Sequence, residues 1–225
     1  VGSGDITWLS FIDRLARDGK PMLLGTGAAQ MWEVERAVAV VQRHGTDLVV
    51  MQCNTNYSGG SANFPYLALN VLKLYEERFP GVVLGLSDHT PGHAAVLGAV
   101  ALGARVIEKH FTDDVGRDGP DHSFAMEPGA WREMVDRTRE LEAALGPREK
   151  RVMENEHAAA VVQRRALRAA RALDAGTVLT QADVVALRPC PADGLPPYAL
   201  DQIVGRRLRV GVEPGDLLQR ELCDG

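Results

Sequence analysis

The chain has 225 residues, 45% of them hydrophobic and 24% charged, with a formal net charge of −5. That length accommodates one large domain or two small ones around a packed core, and the charge balance excludes the basic footprint of a nucleic-acid-binding protein. No apolar run is long enough to span a membrane, no signal-peptide pattern is found, and three widely spaced cysteines (Cys53, Cys190, Cys223) form neither a disulfide framework nor a zinc pattern, which points to a reducing, cytoplasmic setting.

Val1-Gly2-Ser3-Gly4-Asp5 reads as the exit of an earlier strand. Pro21 to Leu24 is a short apolar run that ends at Gly25-Thr26-Gly27. Glu33 to Arg43 carries Val34, Ala37, Val38 and Val41 at helical spacing. Leu48 to Met51 is the next strand and ends at Cys53-Asn54-Thr55-Asn56-Tyr57. Leu67 to Arg78, with Leu69, Leu72 and Leu74, is the next helix. Val82 to Leu86 and Arg105 to Ile107 are the third and fourth strands, separated by an Ala- and Val-rich buried helix over Gly92 to Gly103. A last helix, Pro128 to Leu145, has Pro and Gly near its start and stops at Gly146-Pro147. Strands alternating with helices predict an α/β fold with a parallel sheet and right-handed crossovers. Four such units do not close an eight-stranded barrel, so the sheet is either open or the C-terminal half of a (β/α)8 barrel.

Residues 1–146 are therefore expected as one domain and 147–162 as a linker. Residues 163–225 are expected as a small β-rich domain, where short strand-like pieces alternate with turns. Two phrases there resemble each other: Leu173-Asp174-Ala175-Gly176-Thr177-Val178-Leu179 and Val212-Glu213-Pro214-Gly215-Asp216-Leu217-Leu218. Each is an apolar residue, a tight Gly turn and a return to apolar positions. The group Arg164, Arg165, Arg168 and Arg171 reads as a solvated edge or a domain contact.

The chemistry concentrates in two motifs, Ser87-Asp88-His89-Thr90 and Glu108-Lys109-His110-Phe111. Both histidines follow strand ends, the edge of a parallel sheet where ligands bind. Adjacent strands lie about 4.8 Å apart, so the two imidazoles are candidate ligands of one metal ion. Asp88 and Glu108 have three readings: metal ligands, partners that orient an imidazole, or surface ion pairs with Lys109. Ser3, Ser87 and the Gly25-Thr26-Gly27 turn offer phosphate-binding groups, although a lone Gly-x-Gly is equally a plain turn. Asp121 either contacts a ligand or caps a turn, and Tyr57 either contacts a polar ligand or closes a loop. Cys53, at the end of an apolar strand, reads as a small buried filler rather than a nucleophile.

Ser87-Asp88-His89-Thr90, Glu108-Lys109-His110-Phe111-Thr112 and Gly119-Pro120-Asp121, in this order, resemble the sialic acid synthase family (N-acetylneuraminate and nonulosonate synthases). The second domain, with Leu187-Arg188-Pro189 and Val204-Gly205-Arg206, resembles the SAF (antifreeze-like) domain that follows that family's barrel. The resemblance implies a (β/α)8 barrel and a homodimer in which each SAF domain covers the partner's active site. It implies condensation of phosphoenolpyruvate with an open-chain N-acylated hexosamine, with release of phosphate. His89 and His110 would hold Mn²⁺ or Mg²⁺; the water that adds to phosphoenolpyruvate needs a carboxylate as catalytic base, for which Asp5 is the candidate. Ser3 and Ser87 would contact phosphoenolpyruvate, Asp5, Tyr57 and Asp121 the sugar, and Arg188 the acyl-amino group in the partner's site. Two departures are visible: Gly25 stands where the family often has Ser, and Thr55 where an Asn is common. The lysines of the family's first four strands have no counterpart in these residues. A truncated form that only dimerises or binds sugar, and an aldol synthase acting on a sugar phosphate, are the alternative readings; the SAF-like domain is expected to count against the second.

Overall fold

In the computed structural model, which describes residues 1–57 and 60–224, the chain divides into two units, Val1–Pro147 and Arg148–Gly225. The first opens with a 3-10 turn, Ser3–Asp5, and a helix that the periodicity did not reveal, α1 (Leu9–Ala16). Only Ile12 and Ala16 of α1 are buried, and no side chain caps its start at Trp8, so its pattern is faint. There follow β1 (Met22–Gly25), α2 (Met31–Gln42), β2 (Leu48–Cys53), α3 (Val71–Arg78), β3 (Val83–Asp88), α4 (Ala94–Ala101), β4 (Val106–Lys109) and α5 (Pro128–Leu145). The strands lie in the order β1-β2-β3-β4, and each pair is parallel. The α/β alternation and the parallel half-barrel sheet agree with the expectation from sequence.

Local chemistry explains several ends. The Gln30 N–H donates to the Glu33 carboxylate at 2.7 Å, which opens α2. Pro128 occupies the first turn of α5, where its missing N–H costs nothing. Gly146 ends that helix at φ +55°, a conformation that glycine adopts without strain.

Side chains alternate between the two faces of a strand, so the register sorts the sheet. One face buries Leu24, Val50, Leu84 and Leu86 with Val34, Val38 and Val41 of α2, Leu72 of α3, and Val96 and Val100 of α4. The other face carries three rows set by the pairing: Leu23–Val49–Val83, then Gly25–Met51–Gly85–Val106, then Cys53–Ser87–Glu108. Towards the C-terminal ends of the strands this face passes from apolar to hydroxyl, thiol and carboxyl groups.

In the second unit, part of the stretch expected as a linker is helical. A 3-10 turn, Glu154–Glu156, leads into α6 (His157–Gln163), whose Ala-rich sequence favours helix. β5 (Ala166–Ala169) and β6 (Val184–Leu187) then pair antiparallel. The core is Leu167, Leu173, Leu179, Ile203, Leu208 and Leu218 with smaller neighbours. The two similar phrases are two copies of one motif, each pairing with the other's strand. Leu173 and Val212 exchange both backbone hydrogen bonds at 2.9 Å. The Leu208 N–H donates to Thr177 O as the Ala169 N–H donates to Asp216 O, and the Leu179 N–H to Arg206 O as the Leu218 N–H to Leu167 O. One constant offset in residue number relates every member of these pairs. It also relates the 3-10 turns Gln181–Asp183 and Arg220–Leu222.

Asp183 ties the first copy together. Its carboxylate accepts from the Thr180 hydroxyl at 2.6 Å and the Thr180 N–H at 2.9 Å, and it pairs with Arg171 at 2.7 Å. The Thr180 hydroxyl and N–H, opposed by burial and aided by Arg171, hold it below the usual carboxylate range. A depressed folded-state pKa contributes stability above the unfolded value of about 3.9. That contribution is lost as pH falls through the folded pKa. Asp183→Asn is expected to lower the thermal midpoint of this unit at pH 7, with the difference from the parent shrinking below pH 4; scanning calorimetry across that range checks it.

Candidate active site

β3 delivers Ser87 and Asp88 and is followed directly by His89. β4 delivers Glu108 and Lys109 and is followed by His110. The register aligns Ser87 with Glu108 and Asp88 with Lys109, so the histidines emerge side by side. Their ring centroids are 5.1 Å apart. Tyr57 lies 4.5 Å from the His89 ring and 5.9 Å from that of His110. Phe124 closes the group at 4.9 Å from His110 and 6.0 Å from His89. No sequence pattern marks Phe124. Its place follows from a short parallel bridge beyond β4, in which the Met126 N–H donates to His110 O at 2.9 Å and the Thr112 N–H to Met126 O at 3.0 Å. The one signal for it was its position in the loop that carries Asp121.

The His89 Nδ1–H donates to the Asn54 carbonyl at 3.0 Å. That bond fixes the tautomer of the neutral ring and leaves Nε2 as its lone-pair donor. Asn54 Oδ1 is buried and has no hydrogen-bond partner among the described residues. Asp121 Oδ2 stands 3.6 Å from His110 Nδ1. The hydrogen bond to Cys53 raises the pKa of His89 against the opposing effect of burial. Burial, then the charge of His89, lowers that of His110, with Asp121 and Glu108 offsetting part of it.

A second cluster adjoins the first. The Cys53 thiol faces His89, Ser3, Ser87 and Thr55 and lies 3.8 Å from Thr55 Oγ1. Burial pushes this thiol up, but hydrogen bonding to His89, Ser3, Ser87 and Thr55 outweighs it and leaves the pKa below the ordinary thiol value. Cys53 is buried, as expected of a filler, and it also joins four of the candidate residues. The Gly27 N–H donates to Ser3 Oγ at 2.9 Å, which fastens the N-terminal segment to the Gly25-Thr26-Gly27 turn. Ser87 Oγ donates to Glu108 Oε1 at 2.8 Å. Of the three readings of Asp88, the ion pair with Lys109 is the one observed, but it is internal rather than at the surface: Lys109 Nζ meets Asp88 Oδ2 at 2.7 Å, with the two side chains 1% and 0% exposed.

The structure thus brings together His89, His110, Tyr57 and Asp121 on one side, and Ser3, Thr55 and Ser87 around Cys53 on the other. Asp5 is exposed on the turn after Ser3, outside these contacts. Arg188 belongs to the second unit, where its Nε donates to Gln163 O at 2.7 Å. Among the described residues no three His, Cys, Asp or Glu side chains group around a common point. The donor set fits a divalent cation held by two imidazoles, with water or ligand oxygens completing its shell.

The sequence pattern of the NeuB family matches residues 1–150. The chain belongs to the NeuB family. A SAF domain pattern matches residues 164–221. Among relatives of this NeuB-family chain, the human N-acetylneuraminate-9-phosphate synthase is 32% identical over 224 residues, covering 100% of this chain and 61% of the relative. The N,N'-diacetyllegionaminic acid synthase of Legionella pneumophila is 32% identical over 223 residues, covering 97% of this chain and 61% of the relative. The crystal structure of the N-acetylneuraminic acid synthetase of Leptospira borgpetersenii, in complex with citrate, superposes with a TM-score of 0.65 at 26% identity, over 71% of this chain and 54% of that one. The chain spans about three fifths of the length of the curated relatives it matches. Among the described residues no helix is long and apolar enough to cross a membrane.

Proposed function

We propose that this chain carries the histidine pair of a nonulosonic acid synthase, which condenses phosphoenolpyruvate with an open-chain N-acylated amino sugar and releases phosphate. The observation that carries this reading is the pair of imidazoles at adjacent strand ends, 5.1 Å apart, in a chain whose NeuB match covers both. His89 and His110 would hold Mn²⁺ or Mg²⁺; when bound, such an ion supplies Lewis acidity toward the aldehyde oxygen of the sugar.

The remaining work falls to the side chains around that pair. C3 of phosphoenolpyruvate forms the new bond to the aldehyde carbon as its C=O π bond opens to an alkoxide, which takes up one of the two protons that the added water supplies. Water adds to C2, and the tetrahedral intermediate then loses phosphate by cleavage of its C2–O bond. Ser3, Ser87 and Thr55 would orient the phosphoenolpyruvate. Tyr57 and Asp121 would hold the sugar against His110. Asp5, on the turn beside Ser3, is the carboxylate proposed to take the proton of the attacking water. Asp5→Asn is expected to lower kcat with KM for phosphoenolpyruvate nearly unchanged.

In the proposed assembly two copies pair, and Arg188 of the partner subunit engages the acyl-amino group with its planar donor array. The human relative, whose name carries a 9-phosphate, aligns over the SAF-like part as well. The SAF-like domain therefore does not count against a phosphorylated acceptor. The test is phosphate release from phosphoenolpyruvate with Mn²⁺ and a panel of N-acylated hexosamines, free and phosphorylated. It uses both the 225-residue chain and a chimera in which a relative's N-terminal part precedes Val1. Release in at least one of them that depends on the sugar and disappears with His89→Ala supports the proposal. Release from neither overturns it.

A further inference from the structure

The buried pair Asp88–Lys109 lies directly behind the two histidines. Alternation along the strands places residues 88 and 109 on the helix-covered face and residues 89 and 110 on the other. Asp88 and Lys109 are register partners, the last aligned pair of β3 and β4. Lys109 Nζ donates to Asp88 Oδ2 at 2.7 Å and to the Thr90 carbonyl at 2.6 Å. Asp88 Oδ1 accepts from the Thr90 N–H at 2.9 Å and from the Thr90 hydroxyl at 2.8 Å. The residue before His89, the residue after it and the residue before His110 are therefore closed into one network, and Thr90 is fully buried. A buried ion pair is a poor source of stability compared with apolar side chains of the same volume. What this one supplies is geometry: it fixes both strand ends where the sheet's own hydrogen bonding stops.

We infer that the Asp88–Lys109–Thr90 network is a clamp that sets the spacing and orientation of His89 and His110. Asp88 and Lys109 are thus positioning residues for the metal-holding pair, and the inference rests on that reading of the histidines. The network positions the rings through the backbone, and the Asp88 and Lys109 charges also act through space on His89 and His110; the metal-free ring contacts read the positioning alone. Loss of the network leaves both imidazoles present but free to separate.

The test removes both charges together, Asp88→Asn with Lys109→Met, which keeps a carbonyl acceptor for the Thr90 N–H and leaves no charge unpaired. Thermal unfolding of the 225-residue chain first establishes that the double variant folds cooperatively. Mn²⁺ binding, read by electron paramagnetic resonance, is expected to weaken by about tenfold or more in the folded variant, the range typical of groups that orient metal ligands. Ring-proton nuclear Overhauser effects between His89 and His110, read without metal, are expected in the parent and lost in the variant. Parental Mn²⁺ affinity or retained ring contacts in the folded double variant overturn the clamp. Should the parent itself fail to bind Mn²⁺, the metal reading fails while the ring contacts still decide the clamp. Should the double variant not fold, the same two measurements on Thr90→Val, which removes the hydroxyl bonds to Asp88 and leaves the ion pair intact, decide the clamp, with parental affinity and retained ring contacts overturning it.

Discussion

Replacing Lys109 alone by Met is expected to destabilise the first unit by about 3–5 kcal/mol, the usual cost of leaving one member of a buried ion pair without its partner. Domains of this size are stable by about 5–15 kcal/mol, so the variant lies close to unfolding. The reason is local. The Asp88 carboxylate is 0% exposed, and among the described residues its contacts besides Lys109 are with Thr90. Without the ammonium group, two donors from Thr90 must support a buried charge on the helix-covered face of the sheet, two residues beyond the fully buried Leu86. The Thr90 carbonyl also loses its donor. Urea unfolding of parent and variant measures the difference. A loss below about 1 kcal/mol, the scale of a surface pair, would show that the pair is solvated in solution.

Gly27→Ala is expected to leave the fold standing and to lower phosphate-release activity by about 100-fold, the scale of an ångström-sized misplacement near reacting groups. A β-carbon on Gly27 would fall 1.8 Å from Thr55 Oγ1, 3.0 Å from Ser3 Oγ and 3.1 Å from Cys53 Sγ. All three are side-chain atoms, so they can move without breaking the sheet. Each belongs to the cluster proposed to seat phosphoenolpyruvate. The effect should therefore appear in KM for phosphoenolpyruvate and in kcat, with the thermal midpoint changed little. Steady-state kinetics of the chimera checks it; unchanged kinetics would place the substrate away from this turn.

The legible part of this protein was the part with local patterns. Val34, Ala37, Val38 and Val41 at helical spacing, and the unbroken apolar run of β2, placed helices and strands to within a few residues. The two histidine motifs announced themselves because each follows an apolar run, and a parallel sheet collects chemistry at that edge. The rest was hidden because it depends on pairing between distant segments. Cys53 reads as filler until the register sets it opposite Ser87, with His89 and Ser3 also within reach of its sulfur. Asp88 and Lys109 are ordinary charged residues in sequence, and only the β3–β4 register buries them against each other. Phe124 lacks any periodic sequence pattern, since a single 3-10 turn, His122–Phe124, and one short bridge beyond β4 position it. The internal repeat was visible as two similar phrases, but its exchange of strands was not, because that needs the backbone hydrogen bonds.

The most direct test of the central proposal is the mass of the product formed from ¹³C-labelled phosphoenolpyruvate, Mn²⁺ and an N-acylated hexosamine by the chimera. The expected product is a single acid whose mass is that of the sugar plus pyruvic acid, carrying all three labelled carbons, formed in step with phosphate. Labelled pyruvate released beside unchanged sugar would contradict it.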